Sequence, residues 1–452
     1  MGGRPAEQWY AIRFCRFKDP DFVNSPNLFS FSRSLQSGLR LTEAALQAAR
    51  LARLTRIVEH ACKEVPYYRG LFDSVGFKPG QLKRLSDLRF IPVTTRERLQ
   101  EIPRDELISR AVRAHRLRVA RTSGSTGTPV AVYRTRQESW LRKMLTLRTF
   151  LHNGLRWNDR VVTISRRPSG APFERLQNWW PVATLRNLWF HEQPEAIVRE
   201  LQRLQPTVIY GFASNLAIIA DLMLRGGIDD VKPRLLATSS DLLTTGYRRL
   251  LARAFHSEPL DLYNCTELGD VAWECQRRKG LHVNADWLCV EVLRAGEPVG
   301  PGGTGEVVVT PLYRYAMPLI RYSPGDIATV AQDPCACGVT LPMLSQLEAR
   351  SQNVVPLPGG RYFAGFSEIM SHYPEIKRYQ IVQTALDAFT VRIVPGHEFS
   401  PQVSHRIARV MTERLGNRIR VEVSAVDESE LGARRKSLTV IPLHPVDLGS
   451  AL

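Results

Sequence analysis

Arg121-Thr122-Ser123-Gly124-Ser125-Thr126-Gly127-Thr128-Pro129 is the stretch on which the reading of this chain turns. Glycine lets a backbone fold tightly and approach a ligand closely. The hydroxyls of Ser123, Ser125 and Thr126, with main-chain N–H groups around Gly124 and Gly127, can then surround phosphate oxygens. The loop lacks a Gly-Lys-Ser/Thr ending, so it is not the P-loop of nucleoside triphosphatases. Taken alone, the same composition also describes an ordinary surface turn.

Outward from this loop, β-rich runs alternate with helical patterns between Arg118 and Thr310. Residues 161–164, 207–210 and 260–263 read as strands, and residues 215–224 and 245–255 as helices. The alternation predicts an α/β layer architecture with mainly parallel sheet. Residues 289–293 and 306–310 add a β-rich stretch. Upstream, Leu46, Leu51, Leu54 and Ile57 fall at near-helical spacing and predict a helix over 41–62, broken at Pro66. Beyond residue 350 the order becomes β-β-α-β, with strands at 379–382, 389–394 and 420–424 and a helix over 401–415. The expected division is a large α/β body over 1–349, with mixed sheets and flanking helices, and a small α+β domain over 350–452.

Two further stretches carry chemistry. Tyr263-Asn264-Cys265-Thr266-Glu267 follows a predicted strand, and ligands of α/β sheets gather outside the carboxyl ends of strands. A carboxylate there suits Mg²⁺, a hard cation that takes one or two carboxylates beside phosphate oxygens. The plainer alternative is a solvated Glu in a strand-end loop. Leu319-Ile320-Arg321-Tyr322-Ser323-Pro324-Gly325-Asp326 ends in a carboxylate that can accept hydrogen bonds from a ribose diol. By itself it is a simple turn.

Composition bounds these readings. The chain has 452 residues, 44% hydrophobic and 23% charged, which excludes disordered, collagen-like and small disulfide-stapled proteins. A formal charge of +17 favours anionic ligands. The arginines are scattered and no zinc-finger or aromatic RNA-binding signature occurs, so no specific nucleic-acid partner is expected. Seven sparse cysteines do not form a secreted disulfide framework. No run approaches the roughly 18 apolar residues of a membrane span. Met1-Gly2-Gly3-Arg4-Pro5 leads into polar sequence without a signal-peptide core, and a cytoplasmic location is expected. No Ser-His-Asp order or His-Glu-x-x-His motif supports a hydrolase.

The order of the three stretches resembles the adenylate-forming (AMP-binding) enzyme superfamily, and within it the phenylacetate–CoA ligase-like branch, including homologues from capsular-polysaccharide operons. Val65-Pro66-Tyr67-Tyr68-Arg69 with Ile91-Pro92-Val93-Thr94 is similar to the branch's N-terminal signature. Gly280-Leu281-His282-Val283 and Ala316-Met317-Pro318-Leu319-Ile320-Arg321-Tyr322 are similar to its central ones. The resemblance implies that Ser123, Gly124, Ser125, Thr126 and Gly127 hold the ATP phosphates. It further implies that Tyr263 stacks near adenine beside a loop at Ser239-Ser240-Asp241, Thr266 bonds phosphate, and Glu267 holds Mg²⁺. Asp326 would bind the ribose hydroxyls. Glu348-Ala349-Arg350 would be the hinge of a mobile small domain, with Arg350 near the ribose.

The chain departs from that pattern at Thr128 and Val130, where the family often has a cation, and at the hinge, where Ala349 replaces Gly. Leu431-Gly432-Ala433-Arg434-Arg435-Lys436-Ser437 resembles the loop that supplies the adenylation lysine, but that register holds Ala433. Lys436, Arg434 or Arg435 would substitute, although Arg and Lys are not interchangeable in such a role.

The implied activity is ATP-dependent conversion of an aromatic or otherwise apolar acid to an acyl-adenylate, then transfer to coenzyme A. The alternatives are transfer to an amine and, given Ala433, a non-catalytic nucleotide-binding pathway protein. A homodimer is the expected assembly. Trp179, Trp180, Trp273 and Phe212 are candidates for an aromatic acyl pocket or, equally, for core. Cys275, His282, Cys335 and Cys337 supply three thiols and an imidazole, the donor set of a closed structural Zn²⁺ site. Some members of the branch carry such a site. Reduced cysteines and a surface histidine are the alternative. Cys265 and Cys289 read as packing residues.

Overall fold

The computed structural model describes residues 35–121, 130–165, 184–189, 194–350, 355–359, 361–363, 366–370, 372–373, 375–396, 399–416, 418–427, 430 and 440–443. Helix α1 (Glu43–Glu64) starts at Thr42, whose hydroxyl accepts the Ala45 N–H, and ends before Pro66, which begins a separate short helix. The hairpin β1 (Arg118–Arg121) and β2 (Ala131–Arg134) flanks the Ser/Thr/Gly loop and leads into α2 (Arg136–His152).

Strands β3 (Arg160–Ser165), β4 (Thr184–Trp189), β5 (Val208–Phe212), β6 (Leu235–Ser239) and β7 (Leu260–Cys265) pair in parallel. Helices α3 (Pro194–Leu204), α4 (Ala213–Arg225) and α5 (Thr245–Phe255) lie between them in sequence. Ile209 and Leu236 join Ile197, Leu216, Ile219 and Phe255 in one core, while Val208, Leu235 and Ala237 join Leu141 and Leu145 of α2 in another. Alternate residues of the same strands thus feed two layers, as period-2 side-chain geometry requires.

The sheet continues through β8 (Gly269–Glu274), β9 (Leu281–Val283), β10 (Leu288–Arg294), β11 (Glu297–Pro298), β12 (Thr304–Pro311), β13 (Asp326–Val330) and β14 (Met343–Arg350), all antiparallel to their neighbours. Its twelve strands run β11-β10-β12-β13-β14-β9-β8-β7-β6-β5-β3-β4. The expectation of a mainly parallel sheet is therefore corrected: parallel pairing stops at β7. From β8 to β12 the connecting turns are too short to hold a crossover helix, and no helix lies in the longer connections that lead to β13 and β14, so these strands pair antiparallel.

After the β15 (Val355–Leu357) and β16 (Arg361–Phe363) hairpin, β17 (Ile376–Ala385), β18 (Ala388–Pro395), β19 (Arg420–Ala425) and β20 (Val440–Ile441) form a second sheet ordered β19-β18-β17-β20. Helix α6 (Pro401–Leu415) buries Val403, Ile407, Met411 and Leu415 against Ile381, Phe389, Val391 and Ile393. The four-residue spacing of those helical residues puts them on one stripe.

Candidate active site

The turn Thr266-Glu267-Leu268 leaves the end of β7, and each of its carbonyls is held by a different side chain. Arg134 Nη2 donates to the Thr266 carbonyl at 2.6 Å, Arg314 Nη1 to that of Glu267, and the Tyr313 hydroxyl to that of Leu268 at 3.1 Å. The turn closes at Gly269 (φ +90°), where a Cβ would lie 2.9 Å from the Tyr313 hydroxyl. Arg134 is almost buried. Burial, then the charges of Arg142 and Arg314, lowers its guanidinium to about 9. Glu138, in the first turn of α2, accepts the Tyr315 and Ala316 N–H groups at 2.7 and 2.8 Å and the Thr135 N–H at 2.6 Å. The start of α2 is thereby fastened to residues 315–316.

Two tyrosines cross-link the two acidic stretches. The Tyr263 hydroxyl donates to Asp326 Oδ2 at 2.7 Å, and the Tyr322 hydroxyl to Glu267 Oε1 at 3.4 Å. Each carboxylate is thus reached by the tyrosine that precedes the other in sequence. Glu267 and Asp326 are buried, 4% and 8% exposed, so neither is the solvated strand-end group a bland reading would place there. Burial, then Glu267, pushes the Tyr322 phenol above its usual range, so it remains a donor. Arg96 Nη1 lies 3.5 Å from the same Glu267 oxygen. Glu267 Oε2 makes no hydrogen bond among the described residues, which suits a carboxylate that takes a cation.

Asp326 follows Gly325 (φ +79°), whose N–H is accepted by Ser323 Oγ at 3.1 Å. Arg321 (φ +48°) forms a fork on Glu291 at 3.0 and 3.1 Å and donates to the Ile91 carbonyl at 2.7 Å. Thr94 N–H donates to the Arg321 carbonyl at 2.9 Å, and Ser323 N–H to that of Thr94 at 3.0 Å. The 91–94 and 316–322 signatures are therefore neighbours in space. At the start of β13, the backbone of Arg350 pairs opposite Asp326.

The structure therefore unites Tyr263, Thr266, Glu267 and Asp326, with Ser239 at the end of β6. Ser123, Gly124, Ser125, Thr126, Gly127, Lys436, Ala433, Trp179 and Trp180 lie outside the described residues. Trp273 is not a pocket residue: it is 1% exposed, and its indole N–H donates to Asn284 Oδ1 at 3.0 Å. It lies on β8, whose residues are all buried, and it packs in the main hydrophobic core. Arg96, Arg134, Tyr210, Asn264, Arg314 and Tyr322 were given no role from sequence. Only Asn264 and Tyr322 stand inside the motifs quoted above, because nothing local distinguishes a contact with a residue dozens of positions away.

Cys275, His282, Cys335 and Cys337 converge, their ligand atoms all lying within 4.8 Å of one another. Cys275 Sγ is 3.6 Å from Cys335 Sγ, and Cys337 Sγ is 3.3 Å from His282 Nε2. These are close to the edges, roughly 3.5–3.8 Å, of a tetrahedron with Zn–S of about 2.3 Å and Zn–N of about 2.0 Å. Burial pushes the Cys275 thiol up to about 12, the Arg277 N–H opposing and the other two thiols adding. Cys289 is buried within a hydrophobic cluster, with Arg50 beside its thiol.

No helix among the described residues is long and apolar enough to cross a membrane. No model of a known protein family matches the chain. The phenylacetate–coenzyme A ligase of Thermus thermophilus is 25% identical over 404 residues, covering 81% of this chain and 85% of the relative. That of Escherichia coli is 24% identical over 419 residues, covering 82% and 89%. Among solved structures, a 2-hydroxyisobutyryl-CoA ligase in the postadenylation state matches at a TM-score of 0.76 and 21% identity, over 90% of this chain and 91% of that one. An anthranilate CoA ligase holding anthranoyl-AMP matches at 0.53 and 17%, over 69% and 62%. At these identities the structural likeness establishes the fold.

Proposed function

We propose that this chain, a member of the phenylacetate–CoA ligase-like branch of the adenylate-forming superfamily, is a ligase that activates a carboxylic acid with ATP and passes the acyl group to coenzyme A. A carboxylate oxygen of the acid attacks the α-phosphorus, the bond to the bridging oxygen breaks, and pyrophosphate leaves. The coenzyme A sulfur, its proton lost to solvent, then attacks the acyl carbonyl, and AMP leaves with the C–O electron pair. The observation that carries this reading is the reciprocal pair of tyrosine bonds, which brings Glu267 and Asp326 to one place.

The residues take roles by that placement. Asp326, oriented by Tyr263, accepts the ribose hydroxyls. The Tyr263 ring supports adenine beside Ser239, and Thr266 donates to phosphate. Glu267 holds Mg²⁺, which when bound supplies charge neutralisation for the phosphates. Ser123, Gly124, Ser125, Thr126 and Gly127 wrap the phosphates. Catalysis of this kind is positioning plus charge stabilisation. The small domain over 350–452 moves against the body over 1–349, with Arg350 at the hinge. Lys436 takes the place of the lysine missing at Ala433.

Pyrophosphate release with phenylacetate, anthranilate and 2-hydroxyisobutyrate tests the reading, with coenzyme A or amines added as acceptors. Acid-dependent release and acyl-CoA formation support it. Measurable ATP binding with no release from any acid refutes it, and acyl transfer to amines alone refutes the acceptor.

We further propose that Cys275, His282, Cys335 and Cys337 hold a structural Zn²⁺, because the donor set is closed and its members are buried or half-buried. Elemental analysis finding less than about a tenth of an equivalent in purified protein refutes it.

A further inference from the structure

The carboxyl ends of β5, β6 and β7 carry a polar wall, of which the nucleotide roles above use only Ser239 and its loop. A register shift between Tyr263 and Asn264 sets Asn264 opposite Asp270 of β8. Bulges of this kind re-aim side chains beside active sites. Asn264 Nδ2 donates to Asp270 Oδ1 at 3.3 Å and to the Tyr210 hydroxyl at 3.2 Å, and its Oδ1 accepts from Ser240 Oγ at 3.1 Å. Ser239 Oγ also donates to the Tyr210 hydroxyl, at 2.8 Å. Thr146 of α2 bonds the other Asp270 oxygen.

The bonding capacity of this wall is unbalanced. The Tyr210 oxygen accepts two hydrogen bonds, and its own proton has no acceptor among the described residues. Burial, then the Asp270 carboxylate, pushes that phenol above its ordinary value, against the bonds from Ser239 and Asn264 and the charge of Arg142. It is therefore a permanent donor. The ring is fixed edge-on against Phe150, centroids 5.4 Å apart. Ser240 is exposed and sits in the left-handed region (φ +69°), so the network opens to solvent through a strained residue. Asp270 makes this wall hostile to a second anionic group. Asn264 stands two residues before Thr266, so whatever lies against it is next to the reacting phosphate.

We propose, resting on the ligase reading above, that the acid activated here carries a neutral hydrogen-bonding group, a hydroxyl in the simplest case, received by Tyr210, Ser240 and Asn264. It narrows the aromatic or otherwise apolar acid expected from sequence. Hydrocarbon against this wall strips water from the Tyr210 O–H and returns no bond. A site built to bond a substrate hydroxyl rejects the analogue that lacks it.

The test measures kcat/KM for pyrophosphate release in two matched pairs: 2-hydroxyisobutyrate against isobutyrate, and 4-hydroxyphenylacetate against phenylacetate. In at least one pair the hydroxylated acid should lead by roughly 5- to 150-fold, the cost of leaving one buried polar group unpaired. Tyr210→Phe, which keeps the ring on Phe150, should reduce that ratio at least fivefold. Should Tyr210→Phe not fold, Ser240→Ala makes the same comparison. Equal or better use of the bare acid in both pairs overturns the inference and leaves the ligase reading standing. So does a variant that slows both acids of a pair equally. No acid-dependent release from any of the four acids overturns the ligase reading itself.

Discussion

Asp326→Asn is the most informative single change in the nucleotide site. The substitution is isosteric, and an amide oxygen still accepts the Tyr263 hydroxyl that now lies 2.7 Å from Oδ2. What changes is the other position, where an acceptor becomes an NH₂ donor that cannot receive a ribose hydroxyl. A hydrogen bond to a charged acceptor contributes about 1.5–3 kcal/mol. Loss of one such bond raises the dissociation constant for ATP by roughly 10- to 150-fold. Backbone pairing of β13 with β14 does not involve the side chain, so the melting temperature should move little. Calorimetric titration of ATP without acid reads the effect independently of turnover, and KM for ATP should follow it. Tyr263→Phe should weaken ATP binding less, and the double variant should lose less than the product of the two single losses, since the two residues act as a unit. A change below about threefold in both constants for Asp326→Asn refutes the assignment of Asp326 to the ribose.

Other outcomes follow from the same geometry. Cys335→Ser should leave the purified protein with under about a tenth of an equivalent of zinc and a lower melting temperature, whereas retention of a full equivalent would remove Cys335 from the site. Arg148→Met should destabilise the protein by about 3–5 kcal/mol, because it strands buried Asp286, which Arg148 now meets through Nη1 and Nη2 at 2.5 and 3.1 Å. A lower urea midpoint at unchanged slope checks this, and a loss below about 1 kcal/mol contradicts it. Asp87 accepts the Lys83 and Arg84 N–H groups at 2.9 and 2.8 Å, which holds its carboxyl below the ordinary value. A depressed folded-state pKa stabilises above the unfolded value of about 4 and loses that contribution as acid protonates the native group. The melting-temperature gap to Asp87→Asn should therefore be widest at neutral pH and narrow as the pH falls below the unfolded value of about 4; a gap that is unchanged with pH contradicts it.

Much of the fold was legible because its signals are local. The periodicity that places a helix over 245–255 and another over 401–415 matches α5 and α6. The strands read from sequence differ from those observed by at most three residues at either end, where fraying and pairing rather than composition set the limit. The antiparallel half of the large sheet was not legible, since a short β-rich run does not state which neighbour it will join. Trp273 was undecidable for the same reason: an aromatic residue at a strand position reads alike whether a ligand or Asn284 lies against it.

By itself the sequence determined which chemistry this protein can hold: a hydroxyl-rich loop, two carboxylates each preceded by a tyrosine, and three cysteines with a histidine. Residue type and short spacing suffice for that, because donor atoms and turn preferences are properties of the local chain. The tertiary structure decided what those groups do to one another. It crossed Tyr263 to Asp326 and Tyr322 to Glu267, closed the cysteine cluster across 60 residues, and turned Asn264 onto Tyr210 through a bulge. Each of these is a contact between distant segments fixed by strand register and burial, and register is a property of the assembled sheet.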